Sequence, residues 1–164
     1  MFVKISHTDY PPTKKPMMVF DGNCGFCKYW IVKWMKITKL TVDYKPFQEI
    51  AHEFKDIPLD YFKSAVRYID LNGKVTSGPD AAYITYYNQE KVAFLHRWYL
   101  EKKWFQRISD LAYQWIADHR DFMSKISIWL FGKNPANPKG YWKVYLGVLF
   151  FLLFSLSYCL LANI

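Results

Sequence analysis

The sequence predicts an α/β chain with a β-α-β-α-β-β-α core, a C-terminal helical extension and one transmembrane helix. Three observations carry that prediction. Short runs of apolar, β-branched and aromatic residues alternate with segments whose apolar residues recur at helical spacing. Asn72-Gly73 lies between two of the runs, the strongest short-range sign of a hairpin. No charged residue occurs from Val144 to Ile164, whereas the chain before Val144 is mixed in charge and polarity.

The average composition conceals this division. The 164 residues are 52% hydrophobic, 20% aromatic and 22% charged, with a net charge of +8. Without the uncharged tail the remainder is about 25% charged and about 48% apolar, ordinary for a globular domain. That excludes a disordered chain, a multi-span transporter, a repeat array and a disulfide-stapled miniprotein. Lys and Arg are scattered among acids and not clustered on one element, so the basic excess suits an anionic membrane surface better than nucleic acid.

Taken in order, residues 1–16 read as a flexible leader, with Pro11-Pro12 and Lys14-Lys15-Pro16 and no apolar stretch of signal-peptide type. A thin strand follows at Met17–Phe20, ended by the turn formers Asp21-Gly22-Asn23. From Phe26 to Leu40 the pattern turns helical, with Trp30, Ile31, Trp34 and Met35 on one face. Thr41–Pro46 returns to strand, Gln48–Phe54 is a short helix and Pro58–Phe62 a turn or helix. Ala65–Leu71 and Lys74–Thr76 flank Asn72-Gly73, expected to form a type I′ turn with both central residues at positive φ. Ser77-Gly78-Pro79-Asp80 opens a helix running to about Asn88, with proline at its first position and an acid complementing the dipole. The core is thus 17–88.

A helical extension, 89–131, packs on that core in this reading. In Trp104–Ile116 the apolar positions 104, 105, 108, 111, 112, 115 and 116 form the stripe expected to face it. Ile126–Phe131 is short and suited to a membrane interface, and 132–143 reads as a linker. Residues 144–162 then form a run about 28 Å long as a helix, near the thickness of a bilayer's hydrocarbon. Tyr141 and Trp142 sit where an aromatic belt would lie. Lys125, Lys133, Lys139 and Lys143 precede the span with no acid after Asp121, which orients the expected single-pass protein with its domain in the cytoplasm.

The chemistry-bearing residues are at the first strand-to-helix junction. Cys24-Gly25-Phe26-Cys27 can close a small disulfide ring at a helix start with little backbone movement. The helix N-terminus puts N–H groups and a positive partial charge beside the first sulfur and so favours its thiolate. Cys24 is therefore expected to be the exposed nucleophile and Cys27, one turn in, the resolving thiol. Asp21, three residues earlier, can accept a proton, bond loop N–H groups or raise the thiol pKa by repulsion; these roles stay open. A zinc site would need two more ligands, and neither Cys159 in the tail nor His7, His52, His96 and His119 supplies the spacing, so no metal is expected. No cofactor beyond the redox-active Cys24–Cys27 disulfide is expected either.

Asp21-Gly22-Asn23-Cys24-Gly25-Phe26-Cys27 resembles the D-x-x-C-x-x-C motif of the DCC family of thiol-disulfide oxidoreductase-like proteins. Val66–Asp70 with Asn72–Val75 is similar to its strand, turn and strand, Gly78-Pro79-Asp80-Ala81 to its Gly-x-Asp-Ala helix start, and Tyr113–Arg120 to its closing tyrosine-to-arginine stretch. The resemblance spans about Met17–Arg120. It implies a thioredoxin-like core and disulfide exchange, with Asp80 and Arg120 as further site residues or, equally, as helix-end charges. Thioredoxins place a proline before the third strand, where substrate backbone pairs; here Ser64-Ala65 stands there. The expected function is a membrane-anchored thiol-disulfide oxidoreductase acting on a disulfide-containing protein or a small thiol. A non-catalytic adaptor on the same anchor and a metal-binding module are the alternatives. Membrane lipid along 144–162 is an expected partner and nucleic acid is not.

Overall fold

The computed structural model describes residues 1–88 and 93–162, with side chains described through Leu153. The described elements are β1 (Met17–Phe20), α1 (Gly25–Thr38), β2 (Asp43–Pro46), α2 (Phe47–Ile50), a 3-10 turn (Ala51–Glu53), α3 (Leu59–Ser64), β3 (Arg67–Ile69) and β4 (Val75–Ser77). Helices α4 (Pro79–Tyr87), α5 (Phe94–Glu101), α6 (Lys103–Asp118), α7 (Arg120–Phe131) and α8 (Tyr141–Ala162) follow. The strands form one mixed sheet in the order β2-β1-β3-β4, with β1 parallel to β2 and antiparallel to β3, and β3 antiparallel to β4.

Side chains alternate across a strand, so each strand feeds two cores. Met18 and Tyr68 point to one face, where Ile31 and Trp34 of α1, Val42 and Ala81 of α4 close over them. Val19, Ile69 and Val75 point to the other, against Phe47 and Ile50 of α2, Phe54, Ile57 and Phe62 of α3. The sheet is therefore sandwiched, and the C-terminal end of β1 delivers the chain to the start of α1.

The β3–β4 connection differs from a type I′ turn. Only Gly73 has a positive φ, 81°, and Asn72 does not. The Gly73 N–H instead closes on the Asp70 carbonyl at 3.2 Å, and the Asp70 carboxylate accepts the N–H groups of Asn72 and Lys74 at 2.8 and 2.9 Å. Asp70 supplies the hydrogen bonds that a two-residue turn would have taken from the ladder, which allows the longer loop. A Cβ on Gly73 would be both strained at that φ and driven into the Thr8 carbonyl. Gly73→Ala is expected to destabilise the fold by about 1–3 kcal/mol, read as a lower urea midpoint at unchanged m-value.

Residues 1–16 are not a loose leader. The Ser6 carbonyl accepts the Val75 N–H at 2.9 Å, His7 bridges Lys74, and Thr8 donates its N–H to the Gly73 carbonyl at 2.8 Å, so the segment lines the free edge of β4. Phe2 is buried against the Tyr113 ring and its N–H donates to Gln114 at 2.7 Å. An uncovered edge strand would leave backbone groups unpaired, and this segment takes them up.

Sequence periodicity also misplaces the inner face of α6. Trp104, Ile108, Leu111 and Trp115, expected on the core, are each more than half exposed. Ser109 and Asp110 are the buried residues, Asp110 accepting from the Tyr99 hydroxyl at 2.6 Å and from Lys4 at 2.5 Å. Helix α5, unforeseen, supplies Tyr99 and so gives that polar face its partner. Helix α7 begins at Arg120, well before the expected Ile126, and packs along α1.

The expected fold class is corrected at its last element. Among the described residues no helix is long and apolar enough to cross a membrane. In α8 the described apolar side chains run from Val144 to Leu153, about 15 Å of helix, half of a bilayer's hydrocarbon thickness. The rest of the expected span, 154–162, with Cys159, lies outside the described side chains. The single-pass membrane placement with a cytoplasm-facing domain rested on that span and falls with it. Tyr145 of α8 instead stacks on Trp129 of α7, ring centroids 4.2 Å apart and planes 8° from parallel. What remains is a mixed α/β chain with a four-stranded mixed sheet and, among the described residues, eight helices.

Candidate active site at the start of α1

Helix α1 begins immediately after Cys24, which is its N-cap in extended backbone conformation (φ −83°, ψ 111°). A helix start leaves N–H groups without intrahelical partners. Here the Cys24 sulfur takes the place of the usual capping oxygen and accepts the Cys27 N–H at 3.1 Å. The next free donor, the Phe26 N–H, goes to the Ser124 hydroxyl of α7 at 2.9 Å. A Cβ at Gly25 would lie 3.0 Å from that hydroxyl, so the glycine lets α7 approach the helix start.

Both cysteines are free thiols. Cys24 is only 7% exposed and Cys27 is half-buried, so Cys24 is not the exposed sulfur that the sequence suggests. Helix α7 meets the same junction, through Ser124 beside Gly25 and Phe26. The Cys24 thiol is held down at about 7, first because the Cys27 thiol donates to its sulfur. Burial opposes this, the Cys27 backbone N–H and the Arg120 guanidinium assist, and the Asp21 carboxylate opposes. Cys27 moves strongly upward, because ionising it would forfeit that donated hydrogen bond and place a second charge in a buried site. One proton is thus shared between two sulfurs, with the thiolate on Cys24.

Asp21 joins the pair through a network. Its Oδ1 accepts the Asn23 N–H at 3.0 Å and the Gln48 amide at 2.8 Å, and its Oδ2 accepts from Arg120 at 3.1 Å. The same Gln48 receives the Gly22 N–H at 3.0 Å. Both carboxylate oxygens are therefore engaged in holding the loop, and the Arg120 charge offsets the repulsion Asp21 exerts on the sulfurs. Arg120 also donates to the Ser64 carbonyl at 3.2 Å, and the Tyr113 hydroxyl receives the Val66 N–H at 2.9 Å. Cys27, Asp21, Val66, Tyr113 and Arg120 line one small recess of about 50 Å³.

The structure thus gathers Cys24, Cys27, Asp21 and Arg120, and places Asp80 elsewhere. Asp80 pairs with His96 at 2.6 Å, both buried, and is not among the walls of the recess. Gln48 and Ser124 are contributors that sequence reading missed, since neither carries a local motif, and Tyr113, which opens the tyrosine-to-arginine stretch, meets the site as Ser124 does, through tertiary packing. Among the described residues no group of three or more His, Cys, Asp or Glu side chains is placed to hold a metal. No protein-family model, curated protein or solved structure matches the chain.

Proposed function

We propose that this chain is a thiol-disulfide oxidoreductase of the kind its D-x-x-C-x-x-C motif resembles, with Cys24 as nucleophile and Cys27 as resolving thiol. The observation that carries the reading is the Cys27 N–H directed at the Cys24 sulfur at the helix start, with both thiols free. In the first step the Cys24 thiolate attacks one sulfur of a substrate disulfide, and a mixed disulfide forms as the other substrate sulfur departs as thiolate. In the second, Cys27 gives its proton to the departing group as its sulfur attacks Cys24, which releases the second substrate thiol. The substrate disulfide gains two electrons and the one proton carried by the pair, the first departing thiolate takes its proton from water, and the Cys24–Cys27 pair becomes the disulfide. Arg120 and the helix start stabilise the anion formed on Cys24, while Asp21 and Gln48 hold the loop that carries it.

Cys27→Ser is expected to accumulate a mixed disulfide on Cys24 when the full chain meets a disulfide substrate, seen as an intact-mass adduct that dithiothreitol removes. Absence of the adduct under conditions where the substrate reacts with free cysteine would sink the proposal. Alkylation of Cys24 by iodoacetamide is expected to rise with pH through a midpoint near 7, because the thiolate fraction grows as pH passes the lowered thiol value. A midpoint near 9 would place Cys24 among ordinary cysteines.

A further inference from the structure

An oxidoreductase that holds extended peptides by their backbone needs free N–H and C=O groups beside its sulfurs. In this chain the segment ahead of β3 has several of them already engaged. The Ser64 carbonyl accepts from Arg120, the Val66 N–H donates to the Tyr113 hydroxyl, and the Val66 carbonyl accepts the Gly78 N–H at 2.9 Å. Two of these partners come from α6 and α7, so the C-terminal helices close the place where a peptide strand would pair.

The same helices build something else beside the site. A cavity of about 510 Å³ lies among α1, α4, α5 and α6, within the size range of small-molecule sites. Phe26, Trp30, Trp34 and Tyr113 are walls of this cavity and of the Cys27 recess alike, so the two adjoin. Tyr83 and Tyr86 add to its aromatic lining, and among the described residues no charged side chain lines it. Trp34 is buried and its indole N–H has no acceptor among the described residues. Such walls favour a flat apolar group and disfavour any substrate that brings carboxylates or ammonium groups, whose desolvation nothing there repays.

We infer that the Cys24–Cys27 pair acts on uncharged disulfides bearing a large apolar group, which seats in this cavity while the sulfurs meet Cys24. The inference rests on the exchange reading above and names its substrate class. The reaction is unchanged: the disulfide is reduced to two apolar thiols as the cysteine pair is oxidised.

The test compares two neutral disulfides whose departing groups are both primary alkyl thiolates, bis(2-phenylethyl) disulfide and bis(2-hydroxyethyl) disulfide, with the full reduced chain. The phenylethyl compound is expected to oxidise the pair at least about tenfold faster, from burial of one phenyl group. Ala112→Trp, which fills the cavity from an exposed position on α6, is expected to bring the ratio close to one. With the unaltered protein, 2-phenylethanol is expected to raise the apparent KM for the phenylethyl disulfide, and ethanol is not. Equal rates for the two disulfides, a preference that survives Ala112→Trp, or no competition by 2-phenylethanol would each overturn this inference and leave the exchange reading standing. Failure of both disulfides to oxidise the pair would overturn the exchange reading together with it.

Discussion

Replacing Cys27 with alanine is expected to slow alkylation of Cys24 at pH 7 by about tenfold, whereas Cys27→Ser changes it far less. The reason lies in the order of causes at Cys24. Its thiol is lowered from 9.0 to about 7, and the largest contribution is the hydrogen bond donated by the Cys27 side chain. Alanine has no donor, so burial is left opposed only by the residue 27 N–H and by Arg120, and the midpoint moves back up toward the ordinary cysteine value. A thiol with its midpoint near 7 is about half ionised at pH 7; the first unit upward removes about fivefold of the thiolate and each further unit about tenfold. Serine keeps a hydroxyl in the same place and can still donate to the Cys24 anion. The measurement is the pH profile of iodoacetamide modification, followed at the Cys24 peptide by mass spectrometry so that Cys159 does not contribute. Identical profiles for the alanine and serine variants would show that the helix start, and not its neighbour, lowers Cys24.

Asp110→Ala is expected to cost about 2–4 kcal/mol of stability, and Leu111→Ala, one residue on, less than about 1 kcal/mol. Hydropathy alone ranks these substitutions the other way. Asp110 is buried on the inner face of α6 and accepts both the buried Tyr99 hydroxyl and the ammonium of half-exposed Lys4. Its removal leaves Tyr99 with a buried donor unpaired, and hydrogen bonds to a charged group are worth more than neutral ones. Leu111 is 61% exposed, so truncating it forfeits little buried area. Urea unfolding of the two variants decides the order. Equal or reversed losses would mean that α6 is turned about its axis relative to the described packing.

The contrast shows where sequence reading succeeds and where it stops. β1 was legible to the residue at Met17–Phe20, because a short apolar run meets Asp21-Gly22-Asn23 and cannot continue. The cysteine pair was equally legible, since capping and helix-start electrostatics are matters of a few adjacent residues. In α6 the period of apolar residues marks a helix but misplaces the face that turns inward. A helix's orientation is decided by its partners, here Tyr99 and Lys4 against Asp110, and those lie far away in sequence.

The same distinction applies to the candidate site. Asp21 meets Arg120 across 99 positions and Phe26 meets Ser124 across 98, and no spacing rule reaches that far. Asp21 alone left three roles open, and only its surroundings show both oxygens occupied. The burial of Cys24 likewise depends on the folded surroundings of the junction, which a local pattern cannot contain. The tail makes the reverse point: an uncharged run suggests a span by itself, whereas its described part stacks on α7 through Tyr145 and Trp129. Nearest-neighbour chemistry thus establishes the strand-to-helix junction and the paired thiols. Long-range packing alone decides how deep the sulfurs lie, which charges face them, and which face of each outer helix is left to solvent, because those depend on contacts the chain makes only once folded.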